Sequence, residues 1–190
     1  MELLKKTIKS ESEVLPGDVI KVDSFLNHQI NTGLIYECGK AWFEKFKDMG
    51  VTKILTIETS GIAIATLTAL HFDVPVVYAK KNKSATIGDD FYVTKIVSYT
   101  HSQGFDVYVS KKFITPDDKI LIIDDFLANG SAIKGLISLS EMGGAKVVGA
   151  GVVIEKEYEH GGKDIRDLGY KIEPLAKIKA IENGEIIFSE

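Results

Sequence analysis

The sequence predicts an α/β domain with a mostly parallel central sheet flanked by helices. Three observations lead there. Strand-like and helix-like apolar patterns alternate from residue 33 to residue 155, the order that lays strands side by side with helices on both faces. Within that alternation, Ile120-Leu121-Ile122-Ile123 runs into two adjacent acids, Asp124 and Asp125, and then into Ala128-Asn129-Gly130-Ser131-Ala132. A short apolar run of this kind is a strand buried on both faces. Finally, 190 residues with 45% hydrophobic and 26% charged side chains make one globular domain of ordinary size.

The elements follow in order. Residues 2–12 form a short helix, weakened by the polar run at 9–13, and Pro16-Gly17-Asp18 is a turn. Residues 33–49 form an amphipathic helix, because Leu34, Cys38, Trp42 and Phe46 recur every fourth position. A strand at 52–57 and a helix at 62–70 come next. The strand at 74–79 tolerates Pro75 only near its start. Residues 80–104 are polar at first, with hairpin strands at 92–99 and 105–109. The helix from Ser131 stops at Gly143-Gly144. A long β-rich run covers 146–154, a short helix 163–168, and two strands at 172–181 and 185–188 meet at Asn183-Gly184.

Composition narrows the function. The formal net charge is −4, with both signs scattered, which argues against a nucleic-acid surface. The one cysteine, Cys38, excludes an internal disulfide and a cysteine zinc site. The four histidines show no ligand spacing. Met1-Glu2-Leu3-Leu4-Lys5-Lys6 lacks an apolar leader core, and no apolar run reaches membrane length. These features point to a cytoplasmic protein without membrane partners. Gly149-Ala150-Gly151 lies inside a strand and lacks the third glycine of a dinucleotide fingerprint, so it reads as close packing.

The acid pair and its turn carry the chemistry. Acids cannot sit inside a doubly covered sheet, so they belong at its carboxyl edge, where open α/β sheets bind ligands. The turn at 128–132 has little side-chain bulk, so its amides can close around an anion at a helix start. Acids on one side and bare amides on the other suit a sugar phosphate. Asp124 and Asp125 then accept from vicinal ribose hydroxyls, and Ala128, Asn129, Gly130, Ser131 and Ala132 hold the phosphate.

This order of strand, paired acids, small turn and helix resembles the diphosphate-ribose motif of the type I purine phosphoribosyltransferases. Residues 22–30, Ile57-Glu58-Thr59-Ser60-Gly61-Ile62-Ala63 and Ile154-Glu155-Lys156 resemble segments of that family's xanthine-using bacterial branch, and the likeness spans the chain. The resemblance implies the type I phosphoribosyltransferase fold, with a core at about 31–169 and a hood from 1–30 and 170–190. It implies transfer of 5-phosphoribose from phosphoribosyl pyrophosphate to N9 of xanthine, in purine salvage. By that likeness Asp124 and Asp125 serve catalysis beside the ribose. Thr59, Ser60, Gly61 and Lys81 join residues 128–132 in binding phosphoribosyl pyrophosphate, and Ile20, Asn27 and Lys156 meet the base. Mg²⁺ is expected on substrate oxygens and water, without a protein ligand set, and the assembly is expected to be a homodimer.

Some readings stay open. Lys80, Lys81 and Lys83 fit an ordinary solvated face or a mobile loop at 81–104 that closes over the reaction. Where some relatives carry a carboxylate three residues after the second acid, this chain has Ala128, so no general base is named. Lys156 is donor-only and suits the O6 acceptor of a 6-oxopurine rather than the amino group of adenine. The Asn27 amide can donate to the 2-carbonyl of xanthine. Guanine, hypoxanthine or adenine are the rival substrates. A regulator that senses phosphoribosyl pyrophosphate and binds DNA is the rival class, and the few residues before the sheet are too short for a winged helix.

Overall fold

The computed structural model describes residues 1–82, 90–97 and 104–189. The expected mobile loop at 81–104 falls largely outside them, including Lys83 and the tip of the hairpin. In chain order the elements are α1 (Glu2–Glu11), β1 (Glu13–Leu15), β2 (Val19–Lys21), α2 (Thr32–Phe46), β3 (Lys53–Ile57), α3 (Ser60–Phe72), β4 (Val76–Ala79), β5 (Phe91–Val97) and β6 (Gly104–Ser110). Then come β7 (Lys119–Leu127), α4 (Ser131–Met142), β8 (Lys146–Lys156), α5 (Gly161–Asp167), β9 (Ile172–Glu182) and β10 (Glu185–Phe188).

The central sheet has six strands in the order β10-β9-β8-β7-β3-β4. Five run parallel, and β10 pairs antiparallel at one edge. Apolar side chains of the sheet enter two buried clusters. One joins Leu121, Ile123 and Val153 to Ile8, Phe25, Trp42, Phe46 and Ile64. The other joins Ile120, Ile122 and Val152 to Ile96, Ile133, Leu136 and Ile165. Strand alternation thus supplies both layers from the same apolar runs on β7 and β8. Gly151 lets the Trp42 ring lie on β8, since a Cβ there would come within 2.7 Å of its indole nitrogen. Gly149 does the same for Phe46, at 2.6 Å. The packing role read for these glycines is therefore realised. Cys38 is fully buried, and burial pushes its thiol up to about 12.

Two local features differ from the sequence reading, and one segment that it left unassigned is helical. The strand carrying the acids does not stop before them: β7 continues through Asp124 and Asp125 to Leu127. The cause is its neighbour. β8 pairs with β7 as far as Leu127↔Glu155, whereas the pairing of β3 ends at Leu55↔Ile122. The acids therefore lie within a strand, on a stretch whose other flank β3 has already left. Residues 23–27 wind into one π-helical turn that buries Phe25 and Leu26. The helix expected at 33–49 ends in a 3-10 turn over Lys47–Met49, and Gly50 closes it at φ +66°.

The segments expected to form a hood are joined to the sheet differently. β1 and β2 form a separate hairpin, with Leu15 opposite Val19 across Pro16-Gly17-Asp18. The C-terminal strands β9 and β10 extend the central sheet. α1 packs beside them: the Met1 amine donates to the Leu175 carbonyl, and Lys5 donates to that of Ser189. The hairpin β5–β6 is anchored by reciprocal bonds between Lys80 and Tyr108, each 2.9 Å. It packs on α4, where Gly135 leaves room for Ile96. No helix among the described residues is long and apolar enough to cross a membrane.

Candidate active site

Three pieces of backbone converge where β3 and β7 end. Asp124 is almost fully buried, at 3% exposure. Its Oδ1 accepts the Asp125 amide at 3.0 Å, and Asp125 Oδ1 in turn accepts the Phe126 amide at 2.8 Å. Burial raises the pKa of Asp124 well above the usual carboxylate range, and the neighbouring charge of Asp125 adds to the effect. The Lys81 ammonium acts in the opposite direction, so it lies within electrostatic reach of the pair.

After Leu127 the chain turns through Ala128-Asn129-Gly130 into α4. Gly130 adopts φ +80°, the left-handed conformation that favours glycine. The Asn129 side chain accepts the Ser131 amide at 3.0 Å. No side chain caps the start of α4. The first amides of an α-helix have no acceptor within the helix, so the head of α4 presents the positive end of its dipole.

The third piece is the turn between β3 and α3. Its Glu58–Thr59 peptide bond is cis. The Glu58 carboxylate accepts the Lys81 amide, which ties the start of the polar loop to the end of β3. Gly61 sits against Thr56 and Asp124: a Cβ there would lie 2.0 Å from Thr56 Oγ1 and 3.6 Å from Asp124 Oδ1. The Thr56 hydroxyl is buried and has no hydrogen-bond partner among the described residues. Lys81 extends its ammonium over the Phe105 ring, 5.4 Å from the centroid.

A fourth group lies at the end of β8. Lys156 donates to the Asp18 carbonyl at 3.0 Å and pairs with Glu159 at 3.3 Å. That bond joins the N-terminal hairpin to the sheet. Ile20, two residues beyond Asp18, is buried at 7% exposure. Asn27 is exposed at the end of the π turn, and no hydrogen bond links it to Lys156 among the described residues. Tyr158 lies nearby with a buried hydroxyl that has no partner among the described residues, and burial, Glu159 and Asp18 push it up to about 12.

The structure therefore brings Asp124, Asp125, residues 128–132, Thr59, Ser60, Gly61 and Lys81 around one carboxyl edge. It places Ile20 and Lys156 where the hairpin meets β8. Sequence reasoning missed Thr56, Glu155, Arg166, Gly161 and Gly162. Glu155 is buried at 1% exposure and accepts from Arg166 at 2.7 and 2.8 Å. The run read at 146–154 stops just short of Glu155, so its pattern carries no sign that this acid continues the buried strand, where it has to be paired.

Residues 26–182 match the model of the phosphoribosyl transferase domain. The chain belongs to the phosphoribosyl transferase family. It is 51% identical to the xanthine phosphoribosyltransferase of Listeria innocua, over 100% of this chain and 99% of that protein. It is 49% identical to the protein of the same name from Pediococcus pentosaceus, over 99% and 100%. Among solved structures, the adenine phosphoribosyltransferase of Rhodothermus marinus matches with a TM-score of 0.75 at 22% identity, over 94% of this chain and 100% of that one. At that identity the likeness concerns the fold alone. The family places the chain among transferases of the phosphoribosyl group, acting on small molecules.

Proposed function

We propose that the chain transfers 5-phosphoribose from phosphoribosyl pyrophosphate to N9 of xanthine, forming xanthosine 5′-monophosphate and pyrophosphate. The observation that carries the choice of xanthine is the end-to-end identity of about half with relatives that bear that name. Residues 128–132 take the 5-phosphate on the amides at the head of α4. Asp124 and Asp125 accept from the ribose hydroxyls. Thr59, Ser60, Gly61 and Lys81 face the pyrophosphate. Ile20, Asn27 and Lys156 meet the purine.

In the reaction the bond from C1′ to the pyrophosphate oxygen breaks, and its electron pair leaves with pyrophosphate. The N9 lone pair closes the new bond, and the base loses a proton. Positive charge builds on the ribose ring as the old bond lengthens. Such a step needs fixed charges aimed at it rather than a covalent nucleophile. The acid pair supplies negative charge beside the ring, and the Lys81 ammonium and backbone amides supply positive charge to the departing group. The Ala128 methyl group cannot take the base's proton, so this turn positions and does not titrate.

Mg²⁺ fits the donor set. The two adjacent carboxylates place negative charge beside the substrate oxygens that would hold the ion, and a cation there would offset the cost of ionising buried Asp124. No cluster of three or more His, Cys, Asp or Glu among the described residues could hold an ion by itself, and Mg²⁺ commonly keeps water and substrate oxygens. When bound, it would neutralise charge on the pyrophosphate.

Lys156 supports a 6-oxopurine. Its ammonium is donor-only; it donates to the Asp18 carbonyl and pairs with the Glu159 carboxylate at 3.3 Å. Such a group suits the O6 acceptor and opposes the amino group of adenine. The same reading makes the enzyme cytoplasmic, since a substrate of such charge does not cross a bilayer. By the family likeness we also propose a homodimer. Exposed Tyr78 on edge strand β4 lines, with Val77, Tyr108 and Phe113, a cavity of about 550 Å³, and sedimentation would measure the association. The test of the activity is incubation with phosphoribosyl pyrophosphate, Mg²⁺ and xanthine. Release of pyrophosphate together with xanthosine monophosphate is expected, and absence of both would overturn the proposal.

A further inference from the structure

The turn at 128–130 rests on the start of α5. The Gly161 amide donates to the Ala128 carbonyl at 3.1 Å. A Cβ on Gly161 would lie 2.3 Å from that carbonyl oxygen and 2.4 Å from the Gly130 nitrogen. Ile165, one turn along, comes within 3.0 Å of the Cβ position of Gly130. The two backbones therefore touch, and moving α5 moves the turn.

The next glycine fixes α5 from the other side. A Cβ on Gly162 would fall 1.8 Å from Glu155 Oε1. Glu155 stands on β8 opposite Leu127, the last residue before the turn. Both its oxygens are taken by Arg166 on α5, at 2.7 and 2.8 Å. α5 has only seven residues, and a helix that short does not hold itself in place. A bidentate guanidinium–carboxylate pair fixes angle as well as distance.

We propose that Glu155 and Arg166 are positioning residues for the phosphoribosyl transfer, holding α5 at the height at which Gly161 shapes the turn at 128–132. This rests on the reading of that turn as the 5-phosphate site. The pair touches no reacting atom. It acts through Gly161 and Gly162, which bring backbone against backbone at one end and against a buried carboxylate at the other.

The test is steady-state kinetics with xanthine and phosphoribosyl pyrophosphate on three variants and a control. Arg166→Lys keeps the charge but loses the fork. It should raise the KM for phosphoribosyl pyrophosphate about tenfold, since small misplacements are costly, and leave the KM for xanthine within about twofold. The double variant Glu155→Leu/Arg166→Met replaces the pair with apolar groups, which often restores stability. It should unfold at near wild-type temperature and still show the raised KM. Recovery of that KM together with stability would reduce the pair to a structural role and overturn the proposal. Asp118→Asn, far from this edge, should lower stability without moving either KM. Gly130→Val reports on the underlying reading. If it leaves phosphoribosyl pyrophosphate binding intact, the phosphate site is misplaced. If it impairs binding while Arg166→Lys does not, only the positioning proposal falls.

Discussion

Asp124 concentrates the conflict between stability and function in one residue. Its carboxyl group is buried beside Asp125, and its pKa is raised. Below the unfolded carboxylate range, about pH 4, it is neutral in both states and costs the fold nothing. As pH rises through its raised folded value, the protein must hold a buried carboxylate, and stability is lost. Asp124→Asn keeps an oxygen that can accept the Asp125 amide and removes that charge. Thermal unfolding at neutral pH should therefore rise by about 2–4 °C, a gain that disappears in acid. Turnover should fall by about 100-fold, if a fixed charge at the ribose is lost. A variant that is neither more stable nor slower would refute the role given to this side chain. The acids themselves were legible, because adjacent carboxylates after a buried strand have few other uses. Thr56 was not. Nothing in Ile54-Leu55-Thr56-Ile57 marks its hydroxyl as the surface on which Gly61 packs, a contact made only once α3 folds back.

At the scale of elements, the strand order and the small turn were readable, and the extent of β7 was not. Local pattern ends that strand where the apolar residues end. Pairing with β8 carries it four residues further, to Leu127, and pairing is not a local property. The entrance of the same strand is fixed by a partly buried ion pair. Asp118 accepts from Lys53 at 2.8 Å and from the Thr115 amide at 2.8 Å. Burial alone would raise the Asp118 pKa, but the Lys53 and Thr115 hydrogen bonds outweigh it and lower it below the ordinary 3.8. A depressed carboxylate stabilises the fold above its unfolded pKa, and that stability is lost as pH falls through the folded value. Asp118→Asn should thus cost about 2 kcal/mol at pH 7. The gap to wild type should shrink as pH falls from about 4 towards 2 in urea unfolding. A gap independent of pH would mean that shape, not charge, explains the site.

For the whole molecule, the alternation of patterns yielded the parallel sheet and its two helical layers. It did not yield the closures between distant ends. The Met1 amine meets Leu175 across 174 residues, and Lys156 meets Asp18 across 138. No periodicity encodes such contacts. The second of them joins the N-terminal hairpin to the end of β8, where the purine is proposed to bind. Lys156→Ala should loosen that junction and remove the donor proposed for O6. Discrimination between xanthine and adenine should then narrow by about 1–3 kcal/mol, read from the ratio of the two kcat/KM values. An unchanged ratio would confine Lys156 to holding the hairpin. The central claim is a phosphoribosyl transfer selective for xanthine, and its most direct measurement is kcat/KM with phosphoribosyl pyrophosphate for xanthine, guanine, hypoxanthine and adenine under one set of conditions. The account predicts xanthine first and adenine negligible. Adenine used as well as xanthine, or no pyrophosphate released with any base, would contradict it.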